Sequence, residues 1–245
     1  VQPGSTFKVV SAAAIMQETE DSVDASTMID DPGVFVLPNE FNPEAEGQKF
    51  YCWIGLRGGR HGLQNVELAL KNSCNSYFRK AIGGYKPDNI VGVGSDSLSK
   101  WAEAFGIGEE SYDLGIPYVP GYPASFTKNL QRQGGIWTQG DDYNIAIGQG
   151  KLNATVLEMA GVASVIANGG TLYQPQLVRD VVNSQNQIVR PFEPKVLRKI
   201  PLDAEYVDLI QRGMWRVVNE DSGTAWYSAN LQKWGLEYAG KTGSA

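Results

Sequence analysis

Residues 3–16 read Pro-Gly-Ser-Thr-Phe-Lys-Val-Val-Ser-Ala-Ala-Ala-Ile-Met, and the fold turns on this stretch. Phe7, Val10, Ala14 and Met16 recur near a period of 3.6 with alanine between them, which predicts a helix over residues 5–20. Ser5 and Lys8 stand three apart, and residues at that spacing share a helix face. Serine is a poor nucleophile until a neighbouring base takes its proton. A lysine can be that base when burial or a second cation lowers its pKa. The pair alone says little, because Ser-x-x-Lys arises by chance in many helices.

Outward from this helix, residues 24–62 carry little helical signal. Asp31-Pro32-Gly33, Pro38-Asn39, Pro43 and Gly58-Gly59 mark an irregular excursion with short extended pieces. Helices are expected over 66–70, from Asn75 to a stop at Gly83-Gly84, over 97–105, over 156–168 and over 203–218. Residues 111–139, rich in glycine, proline and aromatics, predict a long surface loop. A hairpin is expected from 177–182 and 188–189 across Ser184-Gln185-Asn186, and residues 237–242 predict a strand. With 245 residues, 42% of them hydrophobic, the chain can bury a large core in one domain, with or without a lobe. A net charge of −6 without a Lys/Arg block argues against a nucleic-acid partner. No apolar run approaches the roughly 20 residues that span a bilayer.

Two further motifs give the first its meaning. Ser73-Cys74-Asn75 lies well downstream, and Lys241-Thr242-Gly243-Ser244 lies near the end behind Tyr238-Ala239-Gly240. Ser-x-x-Lys, Ser-x-Asn and Lys-Thr-Gly in this order are the signature set of penicillin-binding proteins and serine β-lactamases. At these motifs the chain resembles class B penicillin-binding proteins, in particular the penicillin-binding protein 2 type that serves cell elongation. Ala146-Ile147-Gly148-Gln149-Gly150, residues 156–160 and residues 166–170 are similar to the family's stretch between its second and third motifs.

The resemblance implies an α+β fold of the β-lactamase/D,D-peptidase kind. A five-stranded antiparallel sheet is covered by helices and flanked by an all-helical lobe, with the active site between. It also implies that residues 1–245 are a partial transpeptidase domain lacking the family's first and last elements, and hence unstable and inactive if expressed alone. The activity implied is peptidoglycan D,D-transpeptidation on D-Ala-D-Ala stem peptides, with covalent capture of β-lactam antibiotics. Rival readings are a D,D-carboxypeptidase, a serine β-lactamase or a non-catalytic β-lactam sensor. The Glu-x-x-Leu-Asn string of class A lactamases is absent. The family's setting is the bacterial cell membrane, with the domain on the periplasmic or extracellular face, an anchor outside this chain and membrane-embedded elongation or glycosyltransferase proteins as partners.

By the same resemblance, Ser5 is the nucleophile and Lys8 its base, kept neutral in part by the nearby charge of Lys241. Ser73 relays a proton to the leaving amine, while Asn75 holds the substrate amide and bonds Lys8. Lys241 and Thr242 suit the terminal carboxylate. Gly243 keeps the strand open to substrate, and the N–H groups of Ser5 and Ser244 form an oxyanion hole.

The single histidine and both cysteines fall close together as Cys52-x8-His61-x12-Cys74, with Asp31 upstream. Two thiolates, an imidazole and a carboxylate make a four-coordinate zinc set, and the elongation subgroup implies a structural zinc at these positions. Asp30 is an alternative to Asp31. Without a metal, the cysteines would be small buried hydrophobes and His61 a loop residue.

Overall fold

The computed structural model describes residues 1–18, 23–39, 42, 44–110, 112–133, 135–229 and 231–244. The expected end of the first helix at residue 20 and the turn at Pro43 lie outside these. The first helix opens as a 3-10 turn over Gly4–Phe7 and continues as α1 (Lys8–Gln17). Every residue from Lys8 to Met16 is buried, so α1 runs through the core with no wet face. It packs against α2 (Val66–Lys71), α3 (Asn75–Gly83), α4 (Ser95–Ala104) and α8 (Ala204–Asn219). That burial explains the small residues in its middle: Ala12, Ala13 and Ala14 let four helices approach one axis.

Short helix spans follow from local chemistry. The Asn65 side chain accepts the Leu68 N–H and starts α2, and Gly84, at φ +76°, ends α3. Thr155 and Glu158 form a reciprocal cap at the start of α7 (Val156–Ala167). Within 111–139, expected as loop, α5 (Phe126–Gln133) forms, followed by α6 (Gln139–Ile145). Ser125 Oγ accepts the Lys128 N–H at 3.3 Å, an N-cap that the surrounding glycines and prolines concealed. A single turn, α9 (Trp226–Ala229), follows α8.

The strands pair as four separate antiparallel ladders among the described residues. β1 (Ile29–Asp31) pairs with β4 (Gly62–Gln64), and β2 (Val34–Leu37) with β3 (Gln48–Tyr51). β5 (Thr171–Tyr173) pairs with β8 (Val196–Lys199), and the expected hairpin appears in shortened form as β6 (Val181–Val182) and β7 (Ile188–Arg190). The mixed α+β character is as expected, but the single five-stranded sheet is not found among the described residues. Residues 237–242 form no ladder either. They lie along α8, where the Gly240 N–H donates to the Met214 carbonyl at 3.1 Å and Asn219 Nδ2 to the Tyr238 carbonyl at 2.7 Å. Alternating side chains favour extended backbone, but they do not supply the neighbouring strand that a ladder needs.

Candidate active site and metal centre

Ser5 sits half-buried in the 3-10 turn that leads into α1. Gly4 is at φ +56° and its N–H donates to the Gly148 carbonyl at 2.9 Å. Gly148, at φ +77°, comes so close that a Cβ there would lie 2.1 Å from the Gly4 carbonyl oxygen. Glycine at 148 thus sets the floor beneath the serine, and the first-turn N–H of Ser5 has no acceptor within the helix.

One turn on, the Lys8 ammonium is fully buried. Its Nζ donates to the Ser73 carbonyl at 2.7 Å, to Ser73 Oγ at 3.2 Å and to Asn75 Oδ1 at 2.6 Å. Three acceptors match the three protons of an ammonium. Burial pulls the Lys8 pKa down to about 7, against the raising effect of the Cys74 and Cys52 thiols and with help from the Arg79 cation. Burial and repulsion from Lys241 were both expected to contribute. Desolvation dominates, and the like-charge effect falls on the partner: burial, then the Lys8 charge, holds Lys241 well below the usual lysine range.

Ser73 occupies the link between α2 and α3 at φ +50°, a left-handed conformation that a serine adopts only when its surroundings hold it there. Trp53 Nε1 donates to the Asn72 carbonyl at 2.8 Å on one side, and Cys74 caps α3 on the other. The last motif comes to the first from across the molecule. A Cβ on Gly243 would lie 2.9 Å from Thr6 Cγ2 and 3.7 Å from the Pro3 carbonyl oxygen. Lys241 Nζ donates to the Thr242 carbonyl at 3.2 Å and to Thr242 Oγ1 at 3.4 Å. Ser244 and Gly243 are exposed, while Lys241 and Thr242 are half-buried. All three motifs therefore meet around the amino end of α1. The motif reading missed Thr224, whose hydroxyl lies 2.9 Å from that of Thr242.

Asp31, Cys52, His61 and Cys74 converge behind this site, with their ligand atoms all within 4.8 Å of one another. Cys52 Sγ is 3.5 Å from His61 Nδ1, and Cys74 Sγ is 3.4 Å from Asp31 Oδ2. His61 Nδ1 lies 2.6 Å from the same Asp31 oxygen. The set fits a tetrahedral metal by its donor chemistry and its surroundings. Asp31 Oδ1 accepts from Ser76 Oγ at 2.6 Å and from the Gly33 N–H at 2.9 Å, which leaves Oδ2 facing the cluster. The Asn75 N–H donates to Cys52 Sγ at 3.2 Å and the Tyr77 N–H to Cys74 Sγ at 3.4 Å, both contacts that favour thiolates. Asp31 rather than Asp30 faces inward, because β1 alternates and Asp30 is on its exposed side. The Cys74 hydrogen bond first, then His61, lowers the Cys52 thiol to about 5 against burial, whereas burial drives Cys74 up. Burial opposes charge on His61, but its bonds to Asp31 and Cys52 prevail and raise it to about 9.

Residues 1–245 match the family model described as the penicillin binding protein transpeptidase domain. A relative from Haemophilus influenzae, peptidoglycan D,D-transpeptidase MrdA, is 29% identical over 99% of this chain and 34% of its own length. Stage V sporulation protein D of Bacillus subtilis is 27% identical over 100% of this chain and 32% of its length. The chain thus spans about a third of the length of these curated relatives. Among solved structures, Pseudomonas aeruginosa PBP2 in complex with WCK 5153 superposes with a TM-score of 0.73 at 25% identity, covering 93% of this chain and 47% of that one. A chain of a peptidoglycan synthase complex superposes with a TM-score of 0.76 at 25% identity, covering 99% and 36%.

Proposed function

We propose, because this chain belongs to the penicillin binding protein transpeptidase domain family, that it is the catalytic part of a peptidoglycan D,D-transpeptidase acting through a serine acyl-enzyme. The observation that carries this reading is the buried Lys8 amine, one turn from Ser5 and bonded to Ser73 and Asn75. A lysine at about 7 is neutral in a large fraction of molecules near neutral pH. In that form it gives up one of its three donated bonds and offers a lone pair to the Ser5 hydroxyl. Ser5 Oγ attacks the penultimate D-alanyl carbonyl while its proton passes to Lys8. Ser73 relays that proton to the departing amine, and terminal D-alanine leaves as the C–N bond breaks. The amine of a neighbouring stem then attacks the ester, forming the cross-link and freeing Ser5.

The remaining motif residues bind and polarise. Lys241 supplies a point charge and Thr242 a hydroxyl for the terminal carboxylate, and Asn75 orients the substrate amide. The Ser5 and Ser244 N–H groups face the developing oxyanion, where losing one donor typically costs on the order of 10²–10³ in rate. Gly243 leaves the approach along residues 241–244 free of a side chain. A β-lactam enters the same path, because its strained amide is attacked by the same oxygen.

Asp31, Cys52, His61 and Cys74 would hold a zinc ion. When bound, zinc supplies fixed tetrahedral geometry and no step of the acyl transfer. The ligands then tie β1, the turn after β3, the approach to β4 and the start of α3 into one unit. Because Cys74 stands between Ser73 and Asn75, this unit fixes the two residues that hold Lys8. As partners we propose membrane-embedded elongation or glycosyltransferase proteins, since one similar structure is a complex between PBP2 and MreC from Helicobacter pylori and another belongs to a peptidoglycan synthase complex. The setting proposed is the outer face of a bacterial cell membrane. No helix among the described residues is long and apolar enough to cross one.

The experiment is a transfer assay with the full-length protein, a D-Ala-D-Ala stem peptide and an amine acceptor. D-Alanine release with formation of the cross-linked dimer is expected, and Ser5→Ala should abolish both. Release with water as the sole acceptor would favour a carboxypeptidase, and activity persisting in Ser5→Ala would remove Ser5 as nucleophile.

A further inference from the structure

Thr224 belongs to none of the three motifs, yet its hydroxyl lies 2.9 Å from that of Thr242. The loop that carries it leaves α8 and is fastened along its length. Glu220 accepts Lys71 Nζ at 2.5 Å and is also bonded by Arg216. Gly223 packs so closely on α8 that a Cβ there would lie 2.4 Å from the Arg216 carbonyl oxygen. The Ala225 N–H donates to the Val217 carbonyl at 2.9 Å, and the Thr224 N–H reaches the Lys71 carbonyl at 3.4 Å, two residues before Ser73. The loop is therefore a strut between the second and third motifs, and Thr224 is its tip.

A threonine hydroxyl has one proton and two acceptor sites. Lys241 Nζ, as an ammonium, donates to Thr242 Oγ1 at 3.4 Å. Either hydroxyl of the Thr224–Thr242 pair can donate, and when Thr224 does, both acceptor sites on Thr242 are filled. Its one proton is then free for a further acceptor. We propose that Thr224 is a positioning residue whose hydroxyl, by donating to Thr242, aims the Thr242 O–H at the terminal carboxylate of the substrate. The inference rests on the transpeptidase reading and adds a residue that acts on specificity for the carboxylate without touching the reacting atoms.

The test uses the full-length protein and compares second-order acylation by penicillin with that by its methyl ester. Thr224→Val should slow acylation by the acid about tenfold, the worth of one charge-assisted hydrogen bond, and leave the ester nearly unchanged. Thr224→Ser should restore the acid rate to within about twofold, since it keeps the hydroxyl. In a Thr242→Val background, Thr224→Val should add no further loss. Equal losses with acid and ester, or a full second loss in that background, would overturn the proposal and reduce Thr224 to a loop anchor. Thr224→Ala gives the same comparison if the valine variant folds poorly. Wild-type protein that is not acylated at Ser5 would overturn the transpeptidase reading and this inference together, whereas the other contrary results leave that reading standing.

Discussion

Lys8 lies where three requirements of a catalytic lysine meet. It is one helical turn from Ser5, it is fully buried, and its acceptors are the polar atoms of Ser73 and Asn75. Burial supplies most of the lowering of its pKa, so the chemistry depends on the apolar packing of α1 as much as on neighbouring charge. The sign of the pH dependence follows. Below about 7, Lys8 is protonated and cannot accept the Ser5 proton, so acylation by penicillin should fall about tenfold per pH unit. Above that point the rate levels off. An acylation rate that rises with pH to a plateau is therefore expected, and Lys8→Arg should remove that rise along with activity. A rate flat from pH 5 to 9, a range bracketing this pKa, would contradict the assignment of Lys8 as base.

At the scale of elements, the irregular excursion before α2 holds little regular structure. Its two ladders, β1–β4 and β2–β3, have only three or four paired positions each. Such short ladders are marginal unless something else fastens them. The cluster of Asp31, Cys52, His61 and Cys74 sits where these ladders meet the start of α3. A metal there would lend its binding free energy to the order of the segment. Full-length protein purified without chelators should carry about one zinc per chain. Its removal by a chelator, or Cys74→Ser, should lower the Tm by several degrees and reduce penicillin labelling in parallel, because Ser73 loses its anchor. Protein free of zinc yet fully labelled would show that hydrogen bonds alone hold the cluster.

Across the whole molecule, what was legible in the sequence was what chemistry ties to residue type. Ser5, Lys8, Ser73, Asn75, Lys241 and Thr242 were singled out by residue type and order, and the structure brings them together at the amino end of α1. The choice of Asp31 over Asp30 was also open to reading, since strand alternation buries Ile29 and Asp31 and exposes Asp30. Features that depend on distant partners were not legible. Residues 237–242 have a strand's pattern, but their hydrogen bonds go to Met214 and Asn219 on α8. Thr224 gains its role only because the Glu220 ion pair and the close packing of Gly223 bring its loop to Thr242. The helix α5 was masked by flanking glycine and proline despite its serine cap. The two ends of the chain meet at Ser5, and covalent labelling with a fluorescent penicillin is the most direct check on what that meeting does. In the full-length protein the label should form and map to the peptide carrying Ser5, and Ser5→Ala should carry none; label retained in Ser5→Ala, or mapped to another peptide, would contradict the account.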